Sequence, residues 1–239
     1  ILAVESGSRS WNMSSKNSDY DIRFVYVRAY EDYIKINILD DCITYNQKEG
    51  TDMDFQGFDI LKFTRMLQAS NPTVIEWTQS NIIYIGDKPQ EWIDFANESF
   101  NPVSLYYHYK SLCRQNYLKY IKSKSNVTYK RYLYCMRGLI NSKWVLTHNV
   151  LPPIDFQIAI SHIDIPIELA LKLHNIIKLK QQGKEKEIIF NENLIDNYIE
   201  DYLKSDYDIK EIIKQRKEID KIDIQKLQFV INRKIISLK

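Results

Sequence analysis

Two short apolar runs near the start of the chain, residues 1–5 and 22–27, are joined by a segment that begins Gly7-Ser8-Arg9-Ser10-Trp11 and ends Ser18-Asp19-Tyr20-Asp21. Runs of this length, rich in β-branched and aromatic residues, read as strands. Side chains two apart on a strand share a face, so Asp19, at the strand entrance, and Asp21 can aim both carboxylates at one point. Gly7 lets the backbone approach an anion closely, and Ser8 offers it a hydroxyl and a backbone N–H. Asp-x-Asp alone is short and common, and a solvated turn accounts for it. An apolar strand, Gly-Ser, a ten-residue loop and a second strand opening on Asp-x-Asp form a far more specific pattern.

Strand signals concentrate before about residue 86 and helix signals after it, which predicts an α+β chain: a small mixed β-sheet domain over 1–100, then an all-α helical domain over 101–239. Strands are expected at 1–5, 21–27, 42–45, 53–56 and 82–85, with a turn at Lys48-Glu49-Gly50 between two of them. From Phe58 the apolar positions Ile60, Leu61, Phe63, Met66 and Leu67 recur at helical spacing until Ser70-Asn71-Pro72, and a short helix over 73–78 follows. Amphipathic helices are expected at 90–98, 103–122, 129–147, 167–182, 192–203 and 209–235, with Pro152-Pro153 breaking the series.

Composition excludes little. With 239 residues and 44% hydrophobic content a substantial core is possible, and a formal charge of +2 makes no global demand for a nucleic-acid partner. Cys42, Cys113 and Cys135 are too far apart for a zinc knuckle or a disulfide framework. No apolar run approaches the ~18 residues of a membrane span, and no signal-peptide pattern is present. A cytoplasmic, reduced chain without membrane association is expected. It opens in an apolar strand without methionine, so residues upstream of Ile1 are expected in the natural protein.

Aligned hard oxygens suit Mg²⁺ or Mn²⁺ held by carboxylates together with substrate phosphates. A further carboxylate is needed to place a second ion beside an attacking hydroxyl. Asp54 is the candidate, because apolar neighbours enclose it and an adjacent strand can bring it to the pair. Asp52 sits nearer the turn, and Asp59 reads as a helix-start residue. This set points to nucleotidyl transfer.

At these residues the chain resembles the DNA polymerase β-type nucleotidyltransferase superfamily, whose signature is Gly-Ser, a spacer, Asp-x-Asp and a later strand Asp. More narrowly, it is similar to the predicted nucleotidyltransferase family of the YcgL/RlaP type, whose members are often encoded near RNA-repair ligases. The resemblance extends to Asp54-Phe55-Gln56-Gly57-Phe58-Asp59-Ile60-Leu61-Lys62, to Ser70-Asn71-Pro72 with Glu76-Trp77, and to Lys130-Arg131-Tyr132-Leu133-Tyr134 with Arg137 and Trp144. It covers roughly residues 1–150. Asn12 stands where the family often has glycine, and Phe58 where tryptophan is common. The resemblance implies that Gly7 and Ser8 contact nucleotide phosphates, that Asp19, Asp21 and Asp54 bind metal, and that Asp54 is also the base-side carboxylate.

Supporting residues keep two readings each. Arg9 can bridge a triphosphate or form an internal salt bridge, and Arg23 can tune the carboxylates or make a structural ion pair. Lys130, Tyr134 and Arg137 share a helix face and could present a cation–aromatic–cation stripe to a nucleotide, or the tyrosine could simply pack the core. The expected co-substrate is an NTP with Mg²⁺ or Mn²⁺. The acceptor is left open among an RNA end, a protein side chain and a small molecule. A rival from another class is a non-catalytic nucleotide-sensing or scaffolding module.

Overall fold

The structure, a computed structural model, describes residues 1–37, 39–46, 52–122, 124, 126–184, 186–189, 193–205, 209 and 221–237. The expected turn at 48–50, and residues 210–220 of the expected helix 209–235, lie outside them. The fold is α+β, as its sequence predicts. The chain forms two compact units.

The first unit contains a five-stranded mixed sheet of order β3-β4-β2-β1-β5, built from β1 (Leu2–Ser6), β2 (Tyr20–Tyr26), β3 (Cys42–Asn46), β4 (Met53–Asp59) and β5 (Ile83–Gly86). β1 pairs antiparallel with β2 and β5, β3 antiparallel with β4, and β2 parallel with β4. The parallel pair matters most for function, because it sets Asp21 opposite Asp54. β4 runs three residues beyond the expected 53–56. Residues 57–59 keep pairing with β2, and Phe58 turns inward to stack on Trp77, ring centroids 4.8 Å apart. The helix therefore starts at Ile60, not Phe58, with Asp59 as its cap accepting from the Leu61 N–H at 2.9 Å.

A helical turn α1 (Gly7–Ser10) follows β1. The helices α2 (Ile60–Gln68), α3 (Pro72–Gln79) and α4 (Gln90–Glu98) complete the sequence-adjacent part of this unit. Leu2, Val4, Val25, Phe58, Phe63 and Trp77 form its apolar interior. Asn71 caps α3 through the Thr73 N–H at 3.0 Å, and Pro72 occupies the first turn, where a missing N–H costs nothing.

The second unit contains α5 (Pro102–Asn116) continuing into a π-turn at Tyr117–Ile121, a short strand β6 (Val127–Thr128), α6 (Tyr129–His148), α7 (Phe156–His162) and α8 (Ile167–Leu179). A strand β7 (Ile188–Ile189) pairs antiparallel with β6, and α9 (Asn193–Lys204) follows. Its core gathers Met13, Leu133, Met136, Leu173 and Ile199. The last helix, α10 (Lys221–Ile236), belongs to the first unit, and residues 11–18 belong to the second. The chain thus crosses between units near residues 10, 18, 101 and 216, where the sequence reading divides it once, at 100/101. The reason is local: Met13 is fully buried in the helical core, while Leu227 and Val230 of α10 are buried in the first unit. No helix among the described residues is long and apolar enough to cross a membrane.

Candidate active site

The site is built on β1, β2 and β4. Asp21 and Asp54 occupy register-paired positions of the two parallel strands, so their side chains leave the sheet on one face. Arg23, two residues after Asp21 on that same face, places Nη2 between them, 3.0 Å from Asp21 Oδ1 and 2.7 Å from Asp54 Oδ2. Its Nη1 donates to the carbonyls of Asp54 (3.0 Å) and Ile22 (3.2 Å). Two acids side by side repel; the guanidinium between them offsets that repulsion.

Gly7 closes the other side of Asp21. It has φ +62°, in the left-handed region, and a Cβ built there would sit 1.9 Å from Asp21 Oδ2. Both facts require glycine: an L side chain is strained at this φ and has no room. The Gly7 backbone therefore lies against the Asp21 carboxylate, and the buried Ser8 follows it in α1.

Asp21 is also fixed through its main chain. Glu5 of β1, wholly buried, accepts the Asp21 N–H at 2.9 Å with one carboxylate oxygen and the Tyr84 hydroxyl of β5 with the other. Burial first, and the Glu5 hydrogen bond second, push the Tyr84 phenol above its ordinary range. Sequence reading had no role for Glu5 or Tyr84. A usable signal was present for the first: Glu5 is the one charged residue in the run Leu2–Ser6, two positions before Gly7.

Arg9 lies with its guanidinium 3.7 Å from the centroid of the Tyr20 ring, and Nε donates to the Asp19 carbonyl at 3.2 Å. Asp19 is exposed and falls one residue before β2. Among the described residues no group of three or more His, Cys, Asp or Glu side chains is arranged to hold a metal ion. Asp21 and Asp54 nevertheless fit a hard divalent cation: they converge on a point already held by positive charge. Two carboxylates are also the protein share Mg²⁺ uses when substrate phosphates and water complete its shell.

The stripe Lys130, Tyr134 and Arg137 belongs to the helical unit, on α6. There Arg137, 5% exposed, lies 3.7 Å over the Trp11 ring, and Tyr134 meets Trp11 edge-on with centroids 5.5 Å apart. Lys130 Nζ is 5.9 Å from the Tyr134 ring. The three residues therefore do share a face, and two of them pack around Trp11.

The family model described as RNA repair pathway DNA polymerase beta family matches residues 1–230. The chain is 29% identical over 239 residues to the uncharacterized protein YcgL of Bacillus subtilis (strain 168), covering 99% of this chain and 88% of that protein. No solved structure matches the chain.

Proposed function

Because the chain belongs to the RNA repair pathway DNA polymerase beta family, a nucleotidyltransferase-type family, we propose that it moves an NMP from an NTP to a hydroxyl acceptor and releases pyrophosphate. The observation that carries this reading is the convergence of Asp21 and Asp54, in parallel register, on one cationic point beside the glycine of a Gly-Ser turn. In the reaction the acceptor oxygen forms a bond to the α-phosphorus as the bond to the β-phosphate bridging oxygen breaks, in line.

The residues divide the work. Asp21 and Asp54 are the groups that would hold Mg²⁺ or Mn²⁺, while Asp19, expected to join them, is exposed at the strand entrance and forms no three-acid group with them. When bound, the ion supplies charge neutralisation at the phosphate oxygens and lowers the cost of deprotonating the acceptor. Asp54 accepts the proton of the attacking hydroxyl. Gly7 and Ser8 offer backbone and hydroxyl donors to the triphosphate, and Arg9, spread on Tyr20, presents a cation to it. Glu5 keeps Asp21 in place through its backbone N–H. Arg23 fills the position between the two carboxylates with four hydrogen bonds, so it would compete with any cation that Asp21 and Asp54 hold.

Incubating the chain with each α-labelled NTP, Mg²⁺ or Mn²⁺ and a mixed lysate identifies the base and the class of acceptor by what acquires label: an RNA end, a protein or a small molecule. Asp21→Asn keeps an oxygen toward Arg23 and removes the charge, so it is expected to lower transfer at least about 100-fold with an unchanged far-UV circular dichroism spectrum. Full transfer by that variant overturns the mechanism.

Arg23 also supplies the observation behind a second reading. Its guanidinium already pairs with both carboxylates, an internal ion pair that a non-catalytic nucleotide-sensing or scaffolding module could keep. NTP binding with no pyrophosphate release across the acceptor panel selects that reading.

A further inference from the structure

The helical unit has a groove of about 540 Å³ whose lining includes Lys110 and Arg114 of α5, Lys122 just past the π-turn, and Glu200 and Lys204 of α9. Among the described residues four cations and one carboxylate face it, while the whole chain carries only +2. The carboxylate is already engaged. Glu200 accepts the Tyr117 hydroxyl and pairs with Lys204 at 3.1 Å, and those two contacts, the tyrosine first, hold its carboxyl below the usual range. The excess positive charge is therefore left for something else. Arg114, exposed, has no hydrogen-bond or ion-pair partner among the described residues.

The cations are strung out, not gathered. Tyr107, Lys110 and Arg114 recur at three- and four-residue spacing on one face of α5, a stretch of roughly 10 Å at ~1.5 Å per residue. Lys122 extends the row beyond the helix end. A single phosphate needs one cluster; a row of cations matches charges that repeat along a chain. Apolar surface lies in the same groove: Tyr107 is 51% exposed and Leu118 50%. An exposed ring beside a cationic track is the combination on which unstacked bases and their backbone bind.

We infer that this groove binds a single-stranded nucleic-acid segment, with phosphates along Arg114 and Lys122 and a base against Tyr107. Lys110 helps set the track: its Nζ donates to the Ser205 carbonyl and to the Tyr106 hydroxyl, both at 3.1 Å, which fixes the ammonium at the groove wall. The inference concerns binding alone and stands apart from the transfer reaction proposed above.

The test is fluorescence anisotropy of the full chain with labelled ten-residue uridine RNA and thymidine DNA strands between 50 and 200 mM salt, order-of-magnitude conditions for counterion release. Binding of either strand that weakens with salt is expected, and the tighter of the two names the sugar. The Arg114→Gln, Lys122→Gln double variant should bind at least about 10-fold more weakly, with the log–log salt slope smaller in magnitude by ~1.4 for two lost phosphate contacts. Tyr107→Ala should weaken binding at every salt concentration without changing the slope, and Arg114→Lys should retain binding. No binding of either strand overturns the inference. So does unchanged affinity in the double variant, or equal competition by a polyglutamate peptide, which would make the groove a site for acidic protein, or by free AMP, which would reduce it to a mononucleotide site.

Discussion

Glu5 carries a tight local requirement in the sheet unit. A wholly buried carboxylate costs several kcal/mol unless its oxygens are bonded. Here the two partners are the Asp21 N–H, 16 residues on, and the Tyr84 hydroxyl, 79 residues on. Tyr84 should therefore titrate above its ordinary value of 10. The sign follows from proton binding. Between pH 10 and the raised folded value the folded chain holds a proton that the unfolded chain has lost. Stability is then full below pH 10 and falls as pH rises from there. In a carbon-13 tyrosine spectrum the resonance missing from Tyr84→Phe identifies the phenol, and a midpoint at or below 10 contradicts the arrangement. Glu5→Gln should bring the midpoint only part of the way down, because burial is the larger cause. Asp21 and Arg23 were legible in the sequence because strand alternation alone puts them on one face; Asp54 was legible only as an acid among apolar neighbours, and its place opposite Asp21 comes from the β2–β4 pairing. Glu5 and Tyr84 were not, because their meeting depends on β1 lying between β2 and β5, and no local pattern encodes that neighbour order.

Elements were legible where apolar periodicity runs over two turns or more. The helix at 90–98 has its expected bounds, and α6 ends one residue beyond its expectation, where Asn149 adopts the left-handed conformation. The two-stranded ribbon β6–β7 and the seven-residue α7 escaped, being too short for a period to register. The close approach of α5 to α6 at one point requires a glycine. A Cβ at Gly138 would lie 2.7 Å from the Cys113 backbone nitrogen and 2.9 Å from the Tyr109 carbonyl oxygen. In an isolated helix Gly→Ala gains roughly 0.8–1 kcal/mol. Here the methyl meets main chain that cannot step aside, an overpacking cost of about 1–3 kcal/mol. The clash outweighs the propensity, so Gly138→Ala should lower the urea unfolding free energy. A stabilised variant would show that the two helices part easily.

At the level of the whole molecule the chain order conceals the grouping. Residues 11–18 read as part of a ten-residue loop, yet Met13 is buried with the helices; the final helix reads as part of the helical domain, yet it groups with the sheet unit. Sequence proximity cannot reveal this, because long-range grouping depends on which apolar face finds a partner. Leu227 of α10 is 2% exposed, and α10 packs on α2 and α4. Leu227→Ala should cost about 2–5 kcal/mol by the lost burial and the cavity left behind. If the two units unfold as separate cooperative blocks, that loss is confined to the first. In native-state hydrogen exchange the amides of α2 and α4 should lose protection while those of α5 and α6 keep theirs. Equal loss in all four helices would mean that the last helix stabilises the molecule as one cooperative block, and the four crossings of the chain would then be couplings between the units, not mere passages.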